Sequence, residues 1–497
     1  MSRAGSNVDG LRTEYADCPR RLRVVSCRIV AVFGPDLMRC KKNARLSAVS
    51  YYALVFLPIA AYLGVVALCS PAEPPLSLAG YSAAQLLLAG IVVLNLIILY
   101  GVTMFGMVWF GDPRAQNMLN LEELRAAGWD PAKRLLFCFA SQGFHEEVLK
   151  RSVEQAMSVA RSLGVQHSVE VVVDSVVPGD PFFSHPAIRM IRVPESFSTP
   201  NQTRFKARSL QYAAQVREPG DSGTWIVHCD EETLVTESAI AGIWKFLREP
   251  GSEGSCGAGE IKYNSGRFGL SSFFSLLASL FTGEDLGRYR LQYGYFQRAL
   301  FGAHGTFIIV PSELERQIQF DFGPRGSITE DLYFAFRAHQ LGIPFRWVEG
   351  YVREQPAASW RDFFRQRARW VQGAINLICD RRFSLGNRVL LCAYYGVWKL
   401  TVLFGIAAVL VMAAAANYGL ALAIWGLDVA VMGTILVVGA FRNLQEDQQR
   451  STAETAATLL AVFALTPVVC LMETAASLGG IVAKTRDFHV VRKAAEA

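Results

Sequence analysis

Five long apolar runs constrain the fold of this chain more than any other feature. They cover residues 48–69, 83–110, 388–416, 418–440 and 457–483. A helix of about 20 apolar residues crosses the hydrocarbon core of a bilayer, so each run is long enough to span it. Buried helices of a soluble protein are the alternative, but these runs lack the polar faces that such helices need. The sequence therefore predicts an integral, multi-pass membrane protein.

Basic residues indicate which ends of the runs face the cytoplasm. Glu73 is the only charged residue of the loop after the first run. The segment before that run contains eight basic residues: Arg20, Arg21, Arg23, Arg28, Arg39, Lys41, Lys42 and Arg45. The positive-inside rule places the N-terminus and, after a two-span hairpin, the middle region in the cytoplasm. The tail 484–497 is also basic, but three simple spans would place it outside. Two solutions stay open: the run with Lys399 is partly interfacial, or the run with Pro467 and Glu473 is re-entrant or doubled.

These patterns divide the chain into six segments. They are a basic cytoplasmic segment at 1–47, a transmembrane hairpin at 48–110, a cytosolic domain at 111–350, an interfacial helical segment at 351–386, transmembrane helices at 387–483 and a basic tail at 484–497. The net charge of +6 is diffuse, which fits contact with membrane lipids and predicts no nucleic-acid partner. The ten cysteines form no C-x-x-C pair, so we expect reduced, buried thiols.

The middle region alternates strand-like and helix-like segments. Strands are predicted at 134–141, 169–177, 188–194 and 224–232, and helices at 145–164 and 203–216. This alternation favours an α/β fold with a parallel, doubly wound sheet. Ligands of such sheets bind beyond the carboxyl ends of the strands. Asp174 and Asp230 follow two strand ends, so we expect them to meet at one crevice.

Three consecutive acids, Asp230, Glu231 and Glu232, end the fourth predicted strand. If the extended conformation continues to residue 232, Asp230 and Glu232 share a side and Glu231 points away. Two carboxylates together suit a hard divalent cation such as Mg²⁺ or Mn²⁺. The alternative is an acidic cap on the helix that follows, and spacing alone does not decide between them.

A second acidic group opens the helix at 327–342, where Thr329, Glu330 and Asp331 are consecutive. The helix dipole favours ionised carboxylates in a first turn. An ionised aspartate that faces a crevice accepts a proton from a hydroxyl group, which predicts a general base. The alternative is simple helix capping.

The segment 359–373 places an amide, a guanidinium and an indole on one helix face. Gln366, Arg369 and Trp370 are separated by three and four residues, a spacing that brings them together and suits a phosphate and a stacked sugar. The same helix carries an aromatic and basic stripe that is typical of a membrane interface. The alternative interpretation is therefore that this helix is only an interfacial anchor and has no binding role. The stripe consists of Trp360, Phe363, Phe364, Arg367 and Val371. A second interfacial helix is predicted at 271–281.

In this order, these motifs resemble those of the processive-type family-2 glycosyltransferases, and most closely those of the egghead β-1,4-mannosyltransferases. The segments that carry the resemblance are FKARSLQYA, WIVHCDEETL, FDFGPRGSITED, FFRQRARWVQG and FHVVRK. It implies a GT-A nucleotide-sugar-binding fold, a doubly wound mixed sheet flanked by transmembrane and interfacial helices. Glu232 stands where the broad family usually has Asp, and this change fits the Glu-rich egghead group.

The resemblance also implies a role for each matching residue. Asp174, Lys206, Arg208 and Asp230 would bind the donor, and Asp230 with Glu232 would hold the metal. Asp331 would be the catalytic base, with Glu330 beside it. Gly305, in FGAHGTFIIV, would permit close approach beside the acceptor, while Gln366, Arg369 and Trp370 would bind the diphosphate and the acceptor sugar.

The predicted activity is therefore an inverting transfer of mannose in β-1,4 linkage. The donor would be GDP-mannose, with a UDP-sugar as the alternative, and the acceptor a glycolipid such as a glucosyl lipid. The catalytic domain would lie on the cytoplasmic face of the plasma membrane in a bacterium, or of an endomembrane in a eukaryote. The first alternative is a processive β-glucan or mannan synthase that couples polymerisation to translocation, and the second is a catalytically silent scaffold.

Overall fold

The structure is a computed structural model that describes residues 51–60, 90, 102–111, 114–218, 223–263, 273–357, 359–396, 418–444 and 451–482. The predicted segment 1–47 and the tail 484–497 lie outside the described residues, as does Lys399. Most of the predicted hairpin 48–110 lies outside them too. The described residues belong to one unit, Tyr51–Ala497.

Eight strands form one mixed sheet in the described part of the chain. They are β1 (Arg134–Ser141), β2 (His167–Val173), β3 (Ile188–Arg192), β4 (Thr224–Asp230), β5 (Leu234–Val235), β6 (Cys256–Lys262), β7 (Ile308–Pro311) and β8 (Phe345–Arg353). Their order is β3-β2-β1-β4-β7-β6-β8-β5. The first four are parallel, and β7 is antiparallel to both of its neighbours. β8 runs parallel to β6 and pairs with β5 in antiparallel fashion. The prediction of a mixed α/β sheet is confirmed.

Helices cover both faces of this sheet and continue beyond it. They are α1 (Tyr51–Ala60), α2 (Val102–Phe110), α3 (Arg114–Ala127), α4 (Glu146–Ser162), α5 (Phe205–Val216), α6 (Glu237–Leu247), α7 (Phe273–Glu284), α8 (Ser312–Ile318), α9 (Glu330–Gln340), α10 (Trp360–Ile378), α11 (385–396), α12 (Tyr418–Leu444) and α13 (Thr452–Val482). The apolar sides of α4 and α6 pack into one hydrophobic core, and those of α5 and α9 into a second. A strand that is buried on both faces has a continuous apolar sequence, and β1 is buried from Leu135 to Ser141.

The strand register brings the predicted acids to one edge of the sheet. Ala140 of β1 pairs with Val172 of β2 and with Asp230 of β4. β2 ends at Val173, earlier than predicted, so Asp174 follows the strand at the same edge as Asp230. The expectation that these two acids meet at one crevice is therefore met by the fold.

The fourth strand does not continue to residue 232. Its chain turns after Asp230, because the Thr233 hydroxyl accepts the Asp230 N–H at 2.9 Å and the Thr233 N–H bonds to the Asp230 carbonyl at 3.1 Å. The predicted alternation of sides for Asp230, Glu231 and Glu232 is therefore wrong. All three line the same cavity from a turn.

The C-terminal helices pack closely against the domain that contains the sheet. A Cβ on Gly439 of α12 would lie 1.8 Å from the Ser279 carbonyl oxygen of α7, and one on Gly480 of α13 would lie 2.6 Å from the Ala368 carbonyl oxygen of α10. Only glycine allows backbones this close. The predicted interfacial helix at 271–281 is instead buried as α7, since Leu277 and Leu280 are almost inaccessible to solvent.

One helix in the described ranges, α13, is long and apolar enough to cross a membrane. It continues through Pro467 and Glu473, the residues that had suggested a re-entrant or doubled segment. The last strand also runs past residue 350, where the soluble domain was predicted to end, and α10 begins only at Trp360.

Candidate active site

A cavity opens at the carboxyl ends of β1, β2 and β4 and brings most of the predicted residues together. Those that line it are Asp174, Lys206, Asp230, Glu232, Gly305, Glu330, Asp331, Gln366, Arg369 and Trp370. Residues separated by almost 200 positions thus share one space. Arg208 alone among the predicted site residues is not part of the lining.

Lys206 lies at the centre of the acidic side of the cavity. Its Nζ forms an ion pair with Asp230, lies 3.1 Å from the Glu330 carboxylate and donates to the Gly305 carbonyl oxygen at 3.0 Å. Burial by itself lowers the pKa of Lys206, but Asp230 and Glu330 raise it by more, so the pKa lies well above its usual value. The cavity therefore holds a permanent cation among its carboxylates.

Asp331 lies in the first turn of α9, where its carboxylate accepts the Leu332 N–H at 2.8 Å. Burial, reinforced by the negative charge of Glu330, raises the pKa of Asp331 to about 7, while Lys206 and Arg369 lower it in part. A carboxylate with a pKa near neutrality is suited to accept a proton at physiological pH. Asp331 therefore lies in the cavity with a raised pKa, and its role as general base stays a prediction.

Gly305 keeps the space between these charges open. A Cβ at this position would lie 3.1 Å from Lys206 Nζ and 3.5 Å from both Asp230 Oδ2 and Asp331 Oδ2. The two carboxylate oxygens are therefore no more than about 7 Å apart. The close approach predicted at Gly305 is thus that of its backbone to the side chains of Lys206, Asp230 and Asp331.

Two residues beside the cavity have left-handed backbone conformations that are unusual for side chains other than glycine. Phe205, directly before Lys206, has φ 55°, and Phe307, directly after Thr306, has φ 54°. Such conformations cost roughly 1–3 kcal/mol each and concentrate at functional sites. The surrounding packing tolerates this strain at two points where the chain enters the cavity.

The acids at 231 and 232 have different environments. The Glu231 carboxylate accepts the Ser141 hydroxyl at 2.6 Å and lies 2.8 Å from His145 Nδ1, so Glu231 joins β4 to the start of α4. Burial lowers the pKa of the Arg151 guanidinium, and the negative charge of Glu232 offsets part of this decrease. Within the described ranges no three His, Cys, Asp or Glu side chains cluster so as to hold a metal ion by themselves.

Asp174 and Arg208 form an ion pair at the edge of the cavity. Arg208 also donates to the Phe197 carbonyl oxygen at 3.0 Å, and its guanidinium lies 5.8 Å from the Phe197 ring centre. Arg208 therefore supports Asp174 and the loop after β3 from behind, while Asp174 faces the cavity. Both residues of this pair were predicted to bind the donor, but only Asp174 lines the cavity.

The amide, guanidinium and indole of α10 line the cavity together, as their spacing predicted. Arg369 Nη1 donates to the Ile328 carbonyl oxygen at 3.0 Å, and a Cβ on Gly373 would lie 2.2 Å from Thr329 side-chain atoms. α10 is thereby fixed against the turn that precedes Asp331. Of the predicted stripe on this helix, Phe363, Arg367 and Val371 are buried inside the protein, whereas Trp360 is exposed.

Several cavity residues were not predicted. His304 Nε2 lies 2.5 Å from the Asp285 carboxylate, and burial raises the pKa of Asp285. Arg288 pairs with Glu284 at 2.8 Å. His304 could have been found from its place next to Gly305, whereas nothing in the local sequence singles out Glu284, the last residue of α7, or Arg288, which lies in the π-helical turn Asp285–Tyr289.

The sheet, the acidic crevice and the amide–guanidinium–indole trio agree with the glycosyltransferase predicted from the motifs. Residues 225–438 match the family model described as glycosyl transferase family group 2. Residues 225–438 therefore match a family-2 glycosyltransferase domain, the family predicted from the motifs.

The chain is similar to named β-1,4-mannosyltransferases. It is 28% identical to β-1,4-mannosyltransferase bre-3 of Caenorhabditis elegans over 75% of this chain and 81% of that protein. It is 33% identical to β-1,4-mannosyltransferase egh of Drosophila melanogaster over 50% of this chain and 54% of that protein. A solved structure of the mannosyltransferase PcManGT from Pyrobaculum calidifontis, in complex with GDP-Man and Mn²⁺, has 14% identity and a TM-score of 0.39 over 80% of this chain and 98% of that one. At that TM-score the likeness does not bear on the donor or the metal of this protein.

Proposed function

We propose that this protein is a membrane-bound, inverting β-1,4-mannosyltransferase that transfers mannose from GDP-mannose to a glycolipid such as a glucosyl lipid. The observation that carries the proposal is the meeting of Asp230, Asp331 and Trp370 in one cavity. The sequence similarity to bre-3 and egh supports the choice of mannose and of the β-1,4 linkage. The apolar helix α13, packed beside the site, supports an acceptor that lies in a membrane.

In the proposed reaction the acceptor hydroxyl oxygen attacks the anomeric carbon of the donor from the face opposite the diphosphate. The new glycosidic bond forms, the bond between the anomeric carbon and the diphosphate oxygen breaks, and the electron pair leaves with the nucleoside diphosphate. The hydroxyl proton passes to the Asp331 carboxylate, whose pKa of about 7 suits this transfer. Positioned bases of this kind contribute roughly 10²–10⁴-fold to rate.

Positive charge on both sides of the cavity suits the departing diphosphate. Lys206 is a buried cation on the acidic side, and Arg369 supplies a guanidinium from α10. Preorganised charges that face developing negative charge are a large source of rate enhancement. The indole of Trp370 provides a flat face for a sugar ring, and it is fixed by an edge-on contact with Phe281 at 5.3 Å between ring centres.

The residues at the end of β4 fit a hard divalent cation, Mg²⁺ or Mn²⁺. Asp230 and Glu232 supply two carboxylates to the cavity, and Mg²⁺ is commonly held by one or two carboxylates together with substrate phosphates. When bound, the cation would neutralise charge on the diphosphate. Lys206 balances part of the negative charge of the two carboxylates, Asp230 and Glu232, through its ion pair with Asp230.

Donor and acceptor assays on the purified full-length protein test this proposal. The protein in lipid vesicles is given GDP-mannose, UDP-glucose or UDP-N-acetylglucosamine with a glucosyl lipid, and products are identified by mass and by the anomeric coupling in NMR. One added β-mannose is expected with GDP-mannose alone. Turnover of a UDP-sugar without turnover of GDP-mannose would reject the donor, and a polymeric product would favour the processive synthase.

A further inference from the structure

The first observation concerns Arg367, the residue next to Gln366 on α10. Its side chain is only 4% exposed, and its Nε lies 3.0 Å from Glu473 Oε1 of α13, a side chain that is 7% exposed. An unpaired charge in either position would be costly, because few water molecules reach it. The two charges therefore stabilise one another between the catalytic domain and the apolar helix.

The second observation is that Arg367, which itself lines the cavity, contacts several other residues of the lining. Its Nη1 donates to Gln366 Oε1 at 2.8 Å, and its guanidinium carbon lies 4.3 Å from the Trp370 ring centre. Phe281 lies on the guanidinium too, at 4.1 Å. A guanidinium is planar and its donors are fixed in direction, so a single group can orient an amide and an indole together.

The third observation is that α13 is connected by close packing to the turn that holds Asp331. Gly480 of α13 touches the backbone of α10 at Ala368, and Gly373 of α10 touches Thr329 at the start of α9. Little space is left for α10 to shift or rotate. The side-chain directions on its cavity face are thus coupled to the position of α13.

We propose that Arg367 and Glu473 are positioning residues for the acceptor side of the active site. Glu473, from the apolar helix α13, holds the Arg367 guanidinium, which in turn orients Gln366 and Trp370 toward the acceptor sugar. This proposal rests on the proposed glycosyltransfer to a membrane acceptor and extends it, because it makes α13 a part of the acceptor site rather than only an anchor.

A second buried ion pair provides a matched control. Arg442 of α12 contacts Glu260 of β6 through Nη2 at 2.8 Å and Nε at 3.2 Å, and both side chains are 1% exposed. This pair also joins a C-terminal helix to the sheet domain. Neither residue lines the cavity.

The experiment compares the double variants Arg367→Met/Glu473→Met and Arg442→Met/Glu260→Met as full-length protein in vesicles. Replacement of both partners of a buried ion pair by apolar side chains is often neutral or stabilising, so both variants should fold. The first should raise the acceptor KM about tenfold or more while the donor KM stays within about twofold, because misplaced binding groups weaken productive binding. The control variant should leave both constants unchanged. Thermal unfolding verifies that each variant is folded.

Hydrogen exchange of the unliganded protein provides an arm that does not depend on the acceptor. Backbone amides of residues 364–372 should exchange faster in the Arg367/Glu473 variant than in the wild type, and no faster in the control variant. Arg367→Lys retains the charge beside Glu473 without the planar fork, so it should raise the acceptor KM as well. A folded double variant with unchanged acceptor KM and unchanged exchange would overturn the proposal. Failure of the wild type to glycosylate any glucosyl lipid would reject the proposed function, and the exchange data would still decide the positioning role.

Discussion

Replacement of Asp331 by asparagine should remove activity and, at alkaline pH, increase the stability of the protein. The pKa of Asp331 rises from its ordinary value of 3.8 to about 7, mainly because of burial. Each pKa unit corresponds to about 1.4 kcal/mol, so ionisation of Asp331 costs the native state up to about 4 kcal/mol. Because the side chain is partly open to the cavity, solvent screening reduces this cost, and we expect about 2 kcal/mol.

The sign of the effect follows from proton linkage. Between pH 3.8 and about 7 the native protein holds a proton on Asp331 that the unfolded chain has lost, so wild-type stability falls as the pH rises through this window and then stays constant. The asparagine side chain of the variant does not titrate. The variant's advantage in free energy of unfolding should therefore be small near pH 4 and should reach its full size above pH 7.

Denaturant unfolding of the two proteins in detergent at pH 5 and pH 8, together with transfer rates at pH 8, measures both effects. Turnover should fall by roughly 10²–10⁴-fold, since the base is lost while the shape is kept. Asp180→Asn is the control, because Lys150 bonds to Asp180 at 2.7 Å and lowers its pKa, so that variant should lose stability and retain activity. A stability gain of Asp331→Asn that does not vary with pH, or a variant with near wild-type turnover, would refute the reasoning.

Four further predictions concern the same cavity. Wild-type kcat/KM should fall about tenfold per pH unit below about pH 7 as Asp331 is protonated, and a flat profile from pH 5 to 8 would contradict its role as the base. Gly305→Ala should lower turnover about tenfold or more, because its Cβ would lie 3.1 Å from Lys206 Nζ, and unfolding should change by less than about 1 kcal/mol; kinetics and thermal melts measure both. Lys206→Met should lower donor affinity in calorimetry and destabilise the protein by about 3–5 kcal/mol, since Asp230 and Glu330 would be left without their cation. Chelation with EDTA should abolish transfer and Mn²⁺ or Mg²⁺ should restore it, whereas full activity in EDTA would exclude the proposed metal.

Local sequence patterns were sufficient to predict the first four strands, several helices and the acids that follow the strand ends. Alternating apolar segments give β1, β4, α4 and α5 close to their observed bounds, because burial on one or both sides determines which residues a strand or helix can contain. The spacing of Gln366, Arg369 and Trp370 placed them on one helix face, and that face does line the cavity. Helical and strand periodicities are properties of neighbouring residues, so they can be recognised in the sequence without knowledge of which elements pack together.

Tertiary contacts decided which charged side chains are buried and with which partners. Arg367 resembled a membrane-interface residue by its neighbours in sequence, but Glu473, 106 positions away, holds it inside the protein. The turn after Asp230 and the pairing of Glu231 with His145 likewise depend on residues outside the local motif.

The sequence by itself determined a chain with apolar helices, an α/β domain and acids at strand ends, because backbone periodicity and side-chain polarity are properties of neighbouring residues. Only the tertiary structure decided that Lys206 lies between Asp230 and Glu330, that burial brings the pKa of Asp331 to about 7, and that α13 packs against α10. Charge interactions and desolvation depend on distance in space, and distance in sequence does not specify it.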